Sequence, residues 1–270
     1  QEAQTEFEKA IAIKPDYAGP HIALGKILYD AHGMASEARE LLTTALDIAP
    51  EATEARYLLG LIHQREGQLQ EAHDIFAAIA ATDSTHLQAI SQLGQVYLQQ
   101  GDYEQAANQF RQAIRLKAHE PVAYRHLGQA LVKSGKTEEG QRYIERARII
   151  GAQNDRLKPH QEAMQAYPDQ PKAHSNLAAL YNRYGRRKLA AEHYHHSIRI
   201  DSTYGPGYQG LGNMYQQRGN EALAARYYLE ALRWDSTLAE SHNNLGLLLH
   251  KKGELDKAIE QYERAVRFAP

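Results

Sequence analysis

A period of 34 residues is the sequence feature that most constrains the fold of this chain. Leu211-Gly212 and Tyr228 recur as Leu245-Gly246 and Tyr262, each exactly one period later. A fixed period of this length is typical of proteins that stack identical helical units, because no unit buries its apolar face alone. The chain is therefore expected to be a repeat protein, and its other motifs are interpreted within that repeat.

The most regular position of the repeat is a Leu followed by a small residue. The successive Leu residues are separated by 35, 34, 34, 50, 34 and 34 positions. The pairs are Leu24-Gly25, Leu59-Gly60, Leu93-Gly94, Leu127-Gly128, Leu177-Ala178, Leu211-Gly212 and Leu245-Gly246. Seven copies in one register predict seven units.

A second Gly follows most of these Leu residues by eight positions. The residues concerned are Gly67, Gly101, Gly135, Gly185, Gly219 and Gly253. Gly adopts a left-handed backbone without steric penalty, so this position predicts the end of a first helix. Gly33 follows Leu24 by nine positions, which predicts an extra residue in or just after the first helix of that unit.

A second helix is predicted after each of these glycines. A small residue, a large apolar residue and another small residue follow at steps of four and three, which place them on one helical face. The large residues are Leu42, Phe76, Phe110, Ile144, Tyr194, Tyr228 and Tyr262. Each unit is thus predicted to be a helix, a short turn and a second helix.

This pattern resembles the tetratricopeptide repeat family over nearly the whole chain. The resemblance implies an all-α, right-handed superhelical solenoid of antiparallel helix pairs. It also implies a concave groove, lined by the first helices, that holds a peptide or protein partner. The chain departs from the family at the aromatic near the start of the first helix, where it has His21, Arg56, Ile90, Tyr124, His174, Tyr208 and His242.

Two irregularities divide the array. Residues 1–17 match a second helix without a first, and we expect the chain to be a fragment of a longer protein. The spacing of 50 predicts one extra helix from about Leu157 to Ala166, after a helix that ends at Gly151. The predicted segments are Gln1–Asn154, an insertion at Asp155–Gln170, and Pro171–Pro270.

Composition removes several classes of function. The chain has no Cys, a net charge of −2 and no long apolar run. These features argue against thiolate metal sites, nucleic-acid binding and membrane insertion. Compartment stays open, since cytoplasm and periplasm both suit such a chain, and the oligomeric state stays open too.

Three patterns resemble chemical motifs, and each has a simpler interpretation. Asp-Ser-Thr at Asp83, Asp201 and Asp235 falls in the turns between units, where such side chains bond the backbone. The GxGxxG match beginning at Gly205 lacks a preceding strand, so its glycines indicate a soft helix or a close approach of ligand backbone. His193, His195 and His196 are expected to lie on the surface. We therefore expect no enzyme activity, no cofactor and no metal site.

The inner face of the first helices is the predicted binding site. It is rich in carboxamides, which offer a donor and an acceptor to an extended peptide backbone. Its basic residues outnumber its acidic ones, which favours an acidic peptide. The predicted groove residues are Gln88, Gln92, Gln95, Gln99, Arg125, Gln129, Lys133, Lys172, Asn176, Asn182, Arg183, Gln209, Asn213, Gln217, Asn243 and Asn244.

Two other functions fit the same sequence. The chain could be the substrate-recruiting arm of a larger enzyme, such as a glycosyltransferase, because one branch of the family carries an asparagine ladder that Asn176 and Asn244 resemble. It could also be a structural adaptor in a multiprotein assembly that uses edges and convex faces. The leading interpretation is a non-catalytic scaffold for protein–protein interaction.

Overall fold

The computed structural model describes residues 2–32 and 34–269, and within these residues the chain forms α-helices and no strand. The predicted all-α class of antiparallel helix pairs is confirmed. The helices are α1 (Glu2–Ile13), α2 (Ala18–Ile27), α3 (Ala35–Ile48), α4 (Thr53–Arg65), α5 (Leu69–Thr82), α6 (Leu87–Gln100), α7 (Tyr103–Leu116), α8 (Pro121–Lys133), α9 (Thr137–Ala166), α10 (Pro171–Arg183), α11 (Arg187–Ile200), α12 (Gly205–Gln217), α13 (Glu221–Trp234), α14 (Ala239–Lys251) and α15 (Leu255–Phe268).

The chain forms two compact units, Gln1–Gly151 and Ala152–Pro270. In each unit the first and second helices of a repeat pack against each other, as α6 does with α7 and α12 with α13. The division into three segments that the sequence suggested stays a prediction. No described helix combines the length and the apolar character needed to cross a lipid bilayer.

The predicted turn glycines adopt the left-handed conformation. Their φ angles lie between 73° at Gly219 and 89° at Gly101. This confirms six of the predicted helix ends, because a side chain would be strained at such angles. Gly33 lies outside the described residues, but the extra residue before it is visible as a π-helical turn at Leu28–His32. A π turn accommodates one additional residue within a helix.

The glycine of the Leu-Gly pair makes room for the large residue of its own second helix. A Cβ atom on Gly94 would lie 2.8 Å from the Phe110 ring, and one on Gly212 would lie 2.6 Å from the Tyr228 ring. Carbon atoms normally pack at about 3.5–4.0 Å. The ring therefore occupies the space that a side chain would need, which explains why the position is small.

In the fifth unit, the glycine that makes room for the large residue lies on the next first helix. The Leu of the fifth unit is followed by Ala178, which is fully buried. The large residue of the same unit, Tyr194, packs instead against the next first helix, where a Cβ atom on Gly210 would lie 2.1 Å from the ring. The suggestion that ligand backbone approaches Gly210 is therefore wrong, because the space beside it is filled by Tyr194.

The variable position near the start of the first helix has the same chemical role in every unit except the third, where it is the buried Ile90. Arg56 donates to the Pro50 carbonyl in the second unit. His21, His174 and His242 each place Nε2 within 3.0 Å of the carbonyl oxygen six residues earlier, and Tyr124 and Tyr208 place their hydroxyl groups at 3.1 and 3.0 Å from the equivalent oxygen. A carbonyl accepts, so each of these side chains donates. The position thus selects a long donor that fixes the turn between units, and an aromatic ring is one solution among several.

The extra helix is continuous with the helix before it. Helix α9 runs over 30 residues and contains both Gly151 and Pro159. The predicted helix end at Gly151 and the separate start near Leu157 are therefore wrong. Nothing lies within 4 Å of the place that a Cβ atom would occupy on Gly151, whereas Ile150 and Leu157 are fully buried. Burial of these apolar side chains outweighs the weak helix propensity of Gly, about 1 kcal/mol.

Candidate functional site

The first unit contains a groove lined by first helices. One hollow of about 550 Å³ is bounded mainly by residues of α2, α4 and α6, with Ile79 and Thr82 of α5, and a second of about 380 Å³ mainly by residues of α4, α6 and α8, with Phe110 of α7. They share Tyr57 and Gln88, so they form one surface, which we call the first-unit groove. Its walls include Lys26, Asp30, Glu54, Tyr57, Leu61, Gln88, Ser91, Gln92, Gln95, Ala123 and His126.

The amide groups of this groove differ in availability. Gln92 bonds the hydroxyl of Tyr57, whose pKa is raised by burial. Among the described residues, Gln88, Gln95 and Gln129 have no side-chain hydrogen-bond partner, so their donors and acceptors remain available to a ligand. Gln99 lies beyond the two hollows and accepts from Gln64 at 3.2 Å. Three of the predicted site residues of this unit therefore line the groove wall, namely Gln88, Gln92 and Gln95.

The charges of the first-unit groove are largely balanced. Lys26 pairs with Glu54 at 3.3 Å, and Lys117 pairs with Glu120 at 3.0 Å. In the described part of the chain Arg125 forms no ion pair, and it lies exposed on α8. Burial, and next the charge of Arg125, lower the pKa of the neighbouring His126. Lys133, at the end of α8, lies over the ring of Tyr103. Arg125 and Lys133 thus give α8 two cations without a carboxylate partner in the described structure.

Three of the predicted amide residues of the second unit, Gln209, Asn213 and Asn244, are hydrogen-bonded within the protein. Gln209 and Asn213 on α12 both donate to Glu240 on α14, at 2.6 and 2.9 Å. Asn244 donates to the Oδ1 atom of Asn213 at 3.0 Å, and the Tyr228 hydroxyl donates to the same atom at 2.7 Å. These residues form a closed network between two first helices, so a ligand would have to displace internal bonds to use them.

Glu240, Tyr228 and Ser241 belong to this network and were not among the predicted site residues. Tyr228 occupies the large apolar position of its repeat, and its fully buried ring carries a hydroxyl that reaches the network. Burial raises the pKa of this hydroxyl, so it stays a donor at neutral pH. Ser241 donates to Gln209 at 2.9 Å. The phenol at an otherwise apolar position was the available signal, since buried Tyr hydroxyls require partners.

The remaining predicted residues of the second unit are not drawn into this network. Within the described structure Lys172, Asn176, Arg183 and Gln217 are exposed and have no side-chain partner. Asn243 has a long 3.5 Å contact to Asn244. The Oδ1 atom of Asn182 is buried without a partner, which makes it an energetically costly acceptor.

His174, His193 and His196 form a cluster, two members of which, His193 and His196, were predicted to lie on the surface. The Nε2 atom of His174 donates to the Pro168 carbonyl, so its Nδ1 atom accepts from the Nδ1–H of His193 at 3.0 Å. His196 stacks on His174 with ring centroids 4.2 Å apart. Burial and the neighbouring imidazoles lower the pKa of both His193 and His196. The prediction of surface residues is therefore wrong for these two, which are partly buried.

The Asp-Ser-Thr motifs serve the turns, as predicted. Asp83 accepts from the backbone N–H and the hydroxyl of Thr85, at 2.9 and 2.7 Å. The same pair of bonds recurs between Asp201 and Thr203 and between Asp235 and Thr237. These bonds hold the pKa of Asp83 and Asp201 below its usual value. No group of three metal-ligating side chains with suitable geometry occurs in the part of the chain that the structure describes.

Comparison with known families agrees with this architecture. Models of the tetratricopeptide repeat match residues 31–94, 206–238 and 239–270, and a further TPR repeat model matches residues 94–135. No curated protein is significantly similar to the sequence.

Solved structures similar to this chain have low sequence identity to it. MamA AMB-1 is 18% identical, with a TM-score of 0.49 over 54% of this chain and 86% of that chain. The Pseudomonas aeruginosa protein pilF is 18% identical, with a TM-score of 0.44 over 88% of this chain and 97% of that chain. The APC/C hetero-tetramer Cut9-Hcn1 is 15% identical, with a TM-score of 0.41 over 99% of this chain and 49% of that chain.

Proposed function

Because the chain belongs to the tetratricopeptide repeat family, we propose that it serves as a protein–protein interaction scaffold by holding an extended peptide in the first-unit groove. The observation that carries the proposal is the pair of hollows that meet at Tyr57 and Gln88. Volumes of about 300–1,000 Å³ are those of ligand-binding clefts. Two joined hollows suit a chain segment better than one compact small molecule.

The chemistry of the walls favours recognition of peptide backbone. Gln88 and Gln95 each offer a carboxamide donor and acceptor, which match the N–H and C=O groups that an extended chain presents. Tyr57 and Leu61 supply apolar surface for side chains of the bound segment. Such a surface recognises an extended conformation with modest dependence on sequence.

The groove is not basic along its whole length, so a preference for acidic residues of the peptide is expected at only one end of it. Lys26 is neutralised by Glu54 within the groove, so it contributes little to selection. Arg125 on α8 is exposed, forms no ion pair within the described structure, and lies next to His126 on the groove wall. We therefore place the acidic preference at the α8 end, as one carboxylate of the ligand opposite Arg125. A guanidinium bonds a carboxylate through two parallel N–H groups.

The test is selection of peptides from a random display library on the immobilised chain, followed by titration of a fluorescent selected peptide. In the test variant, Gln88→Ala, Gln92→Ala and Gln95→Ala on the groove wall are combined with Arg125→Ala at the α8 end. The matched control combines Gln105→Ala, Gln141→Ala, Gln165→Ala and Arg146→Ala, which are exposed residues outside the hollows.

We expect affinity to fall at least about tenfold in the test variant, since each lost polar contact is worth about 0.5–1.5 kcal/mol. The control should bind as the unchanged chain does, and circular dichroism should show equal helicity in all three. Charge reversal by Arg125→Glu should replace Asp and Glu with Lys or Arg in the selected peptides. Equal binding by all variants would refute the groove proposal and favour an adaptor that uses other faces.

A further inference from the structure

A strongly basic hollow lies on the second unit and shares no residue with the predicted groove. Its volume is about 450 Å³, and Ala191 and Glu192 form part of its lining. The other lining residues, which we call the α11 basic cluster, are Arg187, Lys188, His195, Arg199 and Arg218. Four of these carry a full positive charge at neutral pH, against the single carboxylate of Glu192.

The geometry of α11 brings these groups together. Arg187, His195 and Arg199 are spaced by eight and four residues, so they project from one side of the helix. Arg218 follows the last residue of α12 and closes the hollow from the neighbouring element.

The positive charges of the cluster are not neutralised within the described structure. Arg187, Lys188, Arg199 and Arg218 form no ion pair with a carboxylate there. The one polar contact is a 2.8 Å bond in which Arg199 donates to the Nδ1 atom of His196. Elsewhere on the surface many cations are paired, as Lys251 is with Glu221. The cluster is therefore a local concentration of unpaired charge in a chain of net charge −2.

The start of α11 is an exception among the second helices. The first turns of α3, α5, α7, α9, α13 and α15 each contain an acidic residue. The first turn of α11 contains Arg187 and Lys188 and no acidic residue. Cations at a helix N-terminus oppose the helix dipole and destabilise the helix. The first turn of α11 therefore lacks the favourable charge that the other second helices have there.

We propose that the α11 basic cluster binds the phosphate group of a phosphorylated segment of a partner protein. A phosphoryl group carries close to two negative charges and three acceptor oxygens, which match several guanidinium groups converging on one hollow. A carboxylate offers two oxygens and one charge. Glu192 in the lining disfavours a broad anionic surface such as a membrane.

Fluorescence anisotropy tests the proposal with a labelled phosphoserine peptide and its unphosphorylated counterpart. Arg187→Gln, Arg199→Gln and Arg218→Gln are combined in the test variant. The control combines Arg115→Gln, Arg146→Gln and Arg156→Gln, which are exposed arginines outside the hollow with the same total change in charge. Sedimentation with vesicles containing phosphatidylserine, and competition with inorganic phosphate, form two further arms.

The phosphopeptide is expected to bind at least about tenfold more tightly than the unphosphorylated peptide. The test variant should lose that difference, the control should keep it, and both free phosphate and added salt should weaken binding. Equal loss in the two variants would show a general charge effect and overturn the proposal. Binding to vesicles without discrimination between peptides would overturn it in favour of a lipid surface. Retention of groove-peptide binding by the test variant separates this site from the first-unit groove.

Discussion

Replacement of Gly210 by Ala separates helix propensity from packing. In an isolated helix this change is stabilising by about 1 kcal/mol, because Gly has more conformational freedom to lose. In this protein the new Cβ atom would lie 2.1 Å from Cε1 of Tyr194. That ring is 5% exposed and packs among Leu177, Tyr181 and Leu211, so it has little freedom to move aside.

The magnitude follows from the two opposing terms. Restoring an ordinary carbon–carbon contact requires a displacement of about 1.4 Å or more, since such contacts lie at about 3.5–4.0 Å. Forcing an additional methyl group into a packed core costs about 1–3 kcal/mol, and more where the neighbours are fixed. Because the Tyr194 ring is held by its neighbours, the upper part of that range, about 2–3 kcal/mol, applies here. After the gain of about 1 kcal/mol in helix propensity, we expect Gly210→Ala to lower the free energy of unfolding by about 1–2 kcal/mol.

Gly151 provides the matched control. It also lies within a helix, α9, but nothing lies within 4 Å of its Cβ direction. Gly151→Ala should therefore raise stability by about 1 kcal/mol. In the double variant Ala178→Gly, Gly210→Ala, the Tyr194 ring gains space on the side of its own first helix. Its loss of stability should then be smaller than the sum of the two single losses.

Urea unfolding is the measurement, followed by helicity and by the fluorescence of Trp234. This residue is the single tryptophan of the chain and lies on α13, the helix paired with α12, so it reports on the second unit. A midpoint for Gly210→Ala equal to or above that of the unchanged chain would refute the packing argument. The same result would indicate that Gly210 only makes the helix more flexible.

Three other measurements follow from the structure. Tyr228→Phe removes the hydroxyl that bonds Asn213 and should lower the free energy of unfolding by about 1 kcal/mol, whereas Tyr262→Phe, with no such bond in the described structure, should change little in the same urea titration. The pKa of His193 is lowered on folding, so the unfolded state binds more protons than the folded state as the pH falls. The free energy of unfolding should therefore be unaffected by this group above pH 6.5 and should decrease as the pH falls below it. His193→Gln should flatten that dependence in urea midpoints measured across pH, and the exposed His195→Gln should not. Lys188→Glu should raise the melting temperature, because it removes an unfavourable charge at the start of α11 and adds a favourable one worth about 0.3–1 kcal/mol.

The candidate site was only partly predictable, because availability of an amide depends on residues in the next unit. Periodicity places Gln95 and Asn213 at the same repeat position, two residues after the Leu of the Leu-Gly pair. In the structure Gln95 lines a groove without a side-chain partner among the described residues, whereas Asn213 donates to Glu240, 27 positions away. The repeat pattern cannot show which of two amides at the same repeat position is hydrogen-bonded within the protein, because the partner lies on the neighbouring helix.

The sequence alone determined the features that depend on a single backbone position or on helical spacing. The left-handed turn at Gly101 is an example, because the allowed φ angles of one residue decide it. Only the tertiary structure determined the features in which packing outweighs the local preference of a residue. Helix α9 continues through Gly151 and Pro159, and Gly210 is present to admit the Tyr194 ring rather than a ligand. In both cases the physical reason is the same: burial and contact between distant side chains contribute more free energy than the intrinsic preference of one residue.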